Sequence, residues 1–278
     1  MPQLSKPDQV GLVTRHAKEA IIAPILRDAL GWHVVTNREF DTDQLGTFSG
    51  ETPRTTSALG CARQKARLAC ELTGLPKGLG SEGSFDDGPY GGLLPWDQEL
   101  VTLFDQEQNW CMSGIAHGPS PHHQCVVQTE QQLVRFINEI ETTQGVILYP
   151  QSRPPDTLFK GLRGHEAVLH AYRTCQGRHH EAVVVEFDLR AMHFAARRQI
   201  IAQATHNLVA RWRSRCPACQ RQGFWPDHII DGLPCQLCHG PSNAIARRIA
   251  VCEGCQHEQA YPVQAVFADP VHCSHCNP

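Results

Sequence analysis

The chain has 278 residues, a formal net charge of −3, 16 histidines and 13 cysteines. At roughly 150 residues per domain the length predicts two domains, and a composition of 41% hydrophobic and 19% charged residues excludes a disordered chain. No apolar run approaches the ~18–20 residues of a membrane span, the polar stretch from Met1 to Gln9 does not read as a secretory signal, and the mild negative charge excludes a generally basic nucleic-acid coat. A cytoplasmic protein with no membrane partner is expected.

In chain order, the apolar run Val10 to Thr14 predicts a buried strand. Apolar residues from Ala17 to Leu30 recur at helical spacing, with Pro24 inside and Gly31 as a natural stop. Trp32 to Thr36 reads as the next strand, and Thr55 to Thr73 as the clearest helix, ended by Gly74. Leu79 to Phe85 holds the compact glycine-rich segment Gly80-Ser-Glu-Gly-Ser-Phe85. Glu99 to Phe104 and Trp110 to Ile115 flank a polar turn and predict a hairpin. A helix over Glu130 to Ile140, strands over Gly145 to Tyr149 and Ala182 to Phe187, and an arginine-rich helix from Leu189 to Arg215 complete the front half. Strands interleaved with helices indicate an α/β domain with a mixed sheet, assigned to residues 1–213.

Three polar segments of this domain carry residue types that chemistry uses. Thr14 to Glu19 lies between a strand and a helix, where unpaired N–H groups suit phosphate and Lys18 adds charge. Asp41, Asp43 and Glu51 are oxygen donors of the kind that hold Mg²⁺ beside phosphates. Glu82, between glycines, could orient a metal or activate water. Arg190, Arg197, Arg198, Arg211, Arg213 and Arg215 on the predicted long helix offer a phosphate-holding face.

Residues 214–278 are short, loop-rich and dense in cysteine. Five cysteines are scattered through the front domain. The other eight form four C-x-x-C pairs: Cys216/Cys219, Cys235/Cys238, Cys252/Cys255 and Cys273/Cys276. Two such pairs close one tetrahedral four-thiolate site, so four pairs predict two structural zinc sites in a zinc-ribbon-like domain. A redox C-x-x-C stands alone at a helix start, which four copies do not match. Sequential closure would join the first pair to the second and the third to the fourth; crossed and nested pairings remain open. His239, His257, His272 and His275 read as bystanders. Basic and acidic residues are balanced in this tail, which favours a structural or protein-contact role over phosphate binding, with a nucleic-acid partner as the alternative.

The order of Gly46-Thr-Phe-Ser-Gly-Glu51, the helix Cys61-Ala-Arg-Gln-Lys-Ala-Arg-Leu-Ala69, Thr73-Gly74 and Ser81-Glu-Gly-Ser84 resembles the inosine/xanthosine triphosphate pyrophosphatase superfamily over about residues 10–115. By that resemblance Lys18 matches the turn lysine, Asp43 or Glu51 the metal carboxylate, Lys65 the helix lysine and Glu82 the acidic segment. The stretch from Arg190 to Arg198 matches the late region that contacts base and phosphates. His16 stands where that superfamily usually has Asn. The resemblance implies a Mg²⁺-dependent hydrolase that converts a nucleoside triphosphate to a monophosphate and pyrophosphate. The whole chain also resembles an uncharacterised bacterial two-domain family, through Asp41-Thr-Asp43, Gly46-Thr-Phe48, Ser81-Glu-Gly-Ser-Phe85, Asp188-Leu-Arg-Ala191 and the ending Cys273-Ser-His-Cys-Asn-Pro278. Two classes of function follow: the hydrolase, or a non-catalytic nucleotide-binding module whose zinc tail recruits nucleic acid or protein.

Overall fold

The computed structural model describes residues 8–42, 56–86, 88, 95–152 and 157–278. The chain divides into two compact units, Met1–Leu208 and Val209–Pro278. No helix among the described residues is long and apolar enough to cross a membrane.

Unit 1 contains two sheets. The first orders as β2 (His33–Asn37), β1 (Gln9–Val13), β3 (Lys77–Asp86), β4 (Trp96–Asp105) and β5 (Trp110–Pro119). It is mixed: β1 runs parallel to β2 and β3, whereas β3, β4 and β5 form an antiparallel meander. Helix α1 (Glu19–Leu30) follows β1 and ends where Gly31 turns left-handed at φ 71°; Pro24 lies inside it without ending it. Helix α2 (Ala58–Thr73) starts at Ser57, whose hydroxyl accepts from the Gly60 N–H, and ends at the left-handed Gly74. It lies directly on β3: a Cβ at Gly78 would overlap the Ala66 carbonyl oxygen, and one at Gly80 that of Ala62. Those two glycines bring helix and strand backbones together, and with them whatever side chains flank the contact.

The second sheet orders as β6 (Gln124–Val127), β9 (Val183–Phe187), β7 (Val146–Pro150) and β8 (Phe159–Leu162), and all its pairings are antiparallel. Helices α3 (Glu130–Glu139) and α4 (Gly164–His179) cover one face through Leu133, Ile137, Val168 and Tyr172, packed on Val146, Leu148, Val183 and Val185. Burying aliphatic side chains of this size stabilises by about 1.5–3 kcal/mol each. A reciprocal capping box between Thr129 and Gln132 starts α3. Helix α5 (Ala195–Arg213) follows a short 3-10 turn at Ala191–His193.

Two sequence expectations change. Gly80 to Phe85, a compact glycine-rich segment by sequence, is the extended interior of β3, and Gly80 serves close packing. The arginine-rich helix begins at Ala195, so Arg190 precedes it in extended backbone; the Asp188 carboxylate accepts from both the Arg190 backbone N–H and its guanidinium, which holds the chain out of helix. The strands β6 and β8 and the helix α4 had no counterpart in the sequence reading.

Unit 2 is built on a three-stranded antiparallel sheet, β10 (His228–Asp231), β11 (Ile245–Val251) and β12 (Glu258–Pro262), with β11 central. Its apolar core is small. Phe224 and Ala250 pack with two of the cysteines, Cys216 and Cys252.

Candidate functional site

In unit 1 the strands β1 and β3 pair only through Gly11–Gly78 and Leu12–Leu79. Strand β3 then continues to Asp86 while β1 ends at Val13, and the turn from Thr14 to Lys18 lies beside the extension. Ligands of open α/β sheets bind outside the carboxyl ends of parallel strands. Six charged side chains that are at least nine-tenths buried sit here: Lys18, Lys65, Glu82, Asp97, Glu99 and Arg197.

Strand alternation sorts them. Gly83 lies across from Glu99, and Phe85 across from Asp97, so Asp97 and Glu99 share one face of the sheet while Glu82 points to the other. On the α2 face Lys65 donates to Glu82. On the opposite face Arg197 of α5 donates to Glu99, and Lys18 reaches both the Ser81 hydroxyl at 3.0 Å and Glu99 at 3.2 Å. Gly83 leaves room for this pairing: a Cβ there would overlap the Glu99 carboxylate and lie 2.8 Å from the Arg197 guanidinium. Asp97 is different. It is fully buried, and neither carboxylate oxygen has a hydrogen-bond partner among the described residues.

The electrostatics follow from burial and crowding. Burial, reinforced by Lys18, Arg197, Arg190 and Lys65, pushes the half-buried His16 down to about 3, so its ring is neutral at pH 7. Burial lowers Lys18, partly offset by Glu99. Burial and the Glu99 charge push Asp97 up to about 7, against the pull of Arg197 and Lys18. Burial raises Asp188 as well, but the hydrogen bonds and charge of Arg190 outweigh it and hold that carboxyl below its ordinary range. Asp188 also accepts from the Gly161 N–H at 3.0 Å, which fixes Arg190 at the edge of the second sheet.

Of the residues singled out from sequence, Lys65 and Glu82 pair on the α2 face, Lys18 stands on the opposite face with Glu99, and Arg190, mounted on Asp188, adds its charge at His16. Asp41 pairs with Arg15. Asp43 and Glu51 lie outside the described residues. Sequence reasoning missed Asp97 and Glu99 as site residues. Their signal was available: two carboxylates at alternate positions entering an otherwise apolar strand. Nothing in the sequence separated Arg197 from the other arginines.

In unit 2 the eight paired cysteines form two groups, Cys216, Cys219, Cys252 and Cys255, and Cys235, Cys238, Cys273 and Cys276. The pairing is interleaved, first with third and second with fourth. The Sγ–Sγ separations are 3.6 Å for Cys216–Cys255, 3.5 Å for Cys219–Cys252, 3.6 Å for Cys238–Cys273 and 3.9 Å for Cys235–Cys276. Four thiolates on a tetrahedron with ~2.3 Å metal–sulfur bonds stand about 3.8 Å apart, so each group fits one metal ion.

The knuckles share one local design. The N–H of the residue after each pair donates to the carbonyl of the first cysteine, as Gln220 to Cys216, His239 to Cys235, Gln256 to Cys252 and Asn277 to Cys273. Backbone N–H groups of Cys276 and His275 favour the thiolate of Cys273, whereas the neighbouring thiols Cys238 and Cys235 push Cys276 up to about 12, so without a metal the group does not hold four thiolates. Both groups are made of cysteines alone; of the neighbouring histidines, His239 packs edge-on against Phe267 and His257 stacks at a tilt on Phe224.

A family described only as a domain of unknown function, DUF6671, matches residues 65–278. The chain belongs to the DUF6671 family. The match begins at Lys65 and takes in Glu82, Asp97, Glu99, Arg190, Arg197 and all eight paired cysteines; Lys18 and His16 precede it. No curated protein and no solved structure matches the chain.

Proposed function

We propose that unit 1 is a Mg²⁺-dependent nucleoside triphosphate pyrophosphohydrolase, and that unit 2 is a zinc-ribbon-like module held by two structural zinc ions. The observation that carries the first reading is that Lys18, Lys65, Arg190 and Arg197 all lie near enough to His16 for their charges to act on it, with Glu82, Asp97, Glu99 and Asp188 among them. Each of these four cations lowers the proton affinity of His16, so a positive field reaches its ring and suits an anion there. A triphosphate supplies several negative charges in a row, which the four cations can clamp as charge shifts to the leaving group. The front unit offers hard carboxylate oxygens, the donor set that suits Mg²⁺ in the company of phosphate. Among the described residues no three carboxylates converge on one point. Phosphate oxygens, with Asp43 and Glu51 as the resemblance implies, would complete the coordination. When bound, the ion neutralises phosphate charge.

For unit 2, closed four-thiolate tetrahedra are the usual home of structural zinc. Purified protein with Mg²⁺ and a panel of nucleotides including inosine triphosphate tests the first reading through pyrophosphate release. Release from none of them overturns it.

The second reading is a nucleotide-binding module without turnover. It is favoured by the fact that Glu82 and Glu99 are already engaged by Lys65, Lys18 and Arg197, which leaves the cluster internally compensated. In that reading unit 2 recruits a protein through Leu237, Val266, Phe267 and Val271, large apolar side chains left exposed around the second cysteine group.

A further inference from the structure

We propose that Asp97 accepts the proton of the attacking water; this rests on the hydrolase reading above. Four buried carboxylates stand among the cations, and three are occupied, Asp188 by Arg190. Glu82 accepts from Lys65, and Glu99 accepts from both Lys18 and Arg197. A carboxylate held by a cation is a weak base. Asp97 lies two residues before Glu99 on the same face of β4, across from Phe85 of β3, and its oxygens accept from no described group.

A fully buried carboxylate without a donor leaves a polar requirement that no described group meets. A water held between Asp97 and a phosphate bound by Lys18 and Arg197 meets it. The charged groups acting on Asp97 are Glu99 and Asp86, which raise its proton affinity, and Arg197 and Lys18, which lower it, with burial the largest influence. The balance brings Asp97 to about 7, where a general base combines availability with strength.

In the step itself the water oxygen bonds to the α-phosphorus and one water proton passes to an Asp97 oxygen. The bond from the α-phosphorus to the bridging oxygen breaks, and pyrophosphate leaves with that electron pair. Asp97 then returns its proton to solvent.

The test is pyrophosphate release from inosine triphosphate with Mg²⁺ across pH 5 to 9, for the native protein, Asp97→Asn and Glu82→Gln. Expected are a native kcat that rises through an ionisation near 7, and an Asp97→Asn variant that loses about 100-fold or more in kcat with KM changed by less than about threefold. The residual rate of that variant would lack the ionisation near 7, while Glu82→Gln would keep it. Asn keeps the shape of Asp and removes a buried charge, and the native pH profile stands independently of any variant's folding. An Asp97→Asn rate within threefold of native, or a native profile flat between pH 6 and 8, overturns the role of Asp97 while leaving the hydrolase reading intact. Absence of pyrophosphate release from any nucleotide overturns both.

Discussion

His16 and Asp97 tilt the stability of unit 1 in opposite directions with pH, and the tilt can be worked out. Each pH unit between a group's ordinary and folded proton affinity corresponds to about 1.4 kcal/mol. The folded state holds the Asp97 proton up to about 7 instead of 3.8. Stability from this group is therefore complete below about pH 4 and falls by about 4 kcal/mol as pH rises to 7. The folded state resists protonating His16 until about 3 instead of 6.5. Stability from this group is complete above pH 6.5 and falls by about 5 kcal/mol as pH drops to 3. Between pH 4 and 6.5 the two slopes offset each other.

Removing either group exposes the other. Asp97→Asn should gain stability with rising pH across that window, and His16→Gln should lose it. Even with half of each effect removed by water penetration, a difference of about 2 kcal/mol per variant remains. Hydrogen-exchange protection of the β3 and β4 amides, corrected for intrinsic rates, reads unit 1 alone. Curves of both variants that run parallel to the native one within 1 kcal/mol from pH 4 to 7 would refute the placement of these two groups in a buried cationic pocket.

The remaining predictions concern metal, topology and close packing. Mass-spectrometric metal analysis of the purified chain should find two zinc ions, and chelation should abolish exchange protection in β10, β11 and β12 while β1, β3 and β4 stay protected. That follows because the apolar core of unit 2 is small and its folding free energy comes with the metal. Cys235→Ser should lower zinc content to well below one ion per chain; a variant that retains one full ion would show the sites to be independent. Gly80→Ala should destabilise unit 1 by about 3 kcal/mol or more, measured by the same exchange protection, because the new methyl meets the backbone oxygen of Ala62 rather than a movable side chain. Gly83→Ala should weaken nucleotide binding, read by calorimetry, since its methyl would part Glu99 from Arg197.

The elements legible in the sequence were those with a strong period and a marked end. The helix closing at Gly74, the one stopping at Gly31 and the hairpin around Asp105 appear within a few residues of where their patterns place them. Strand β3 was not legible because glycines inside a polar segment mask a strand pattern. Here they permit contact between α2 and the strand, which is a tertiary fact. The site was half visible for the same reason. Lys18 and Glu82 stand out in polar segments and Lys65 is marked only by the resemblance, whereas Asp97 and Glu99 are hidden in an apolar strand and matter only because Lys18 and Arg197 arrive from distant parts of the chain.

The interleaved cysteine pairing has a topological cause that the cysteine spacing alone does not contain. One strand separates each knuckle from the next: β10 lies between the first and second pairs, β11 between the second and third, β12 between the third and fourth. Antiparallel neighbours reverse direction at each step, so every strand carries the chain to the opposite end of the sheet. His228 pairs with Ile249, which puts the first knuckle at the end where β11 runs into Cys252. Arg247 pairs with Pro262, which sends the chain leaving β12 toward the end where β11 begins, beside the second knuckle. Sequential closure would require the segment between the first and second pairs and that between the third and fourth to go out and return as full hairpins, and each holds a single strand. The single strands therefore decide the ligand sets. They also make each metal clamp the loop that carries a pair of the other, so the two ions should load and leave together.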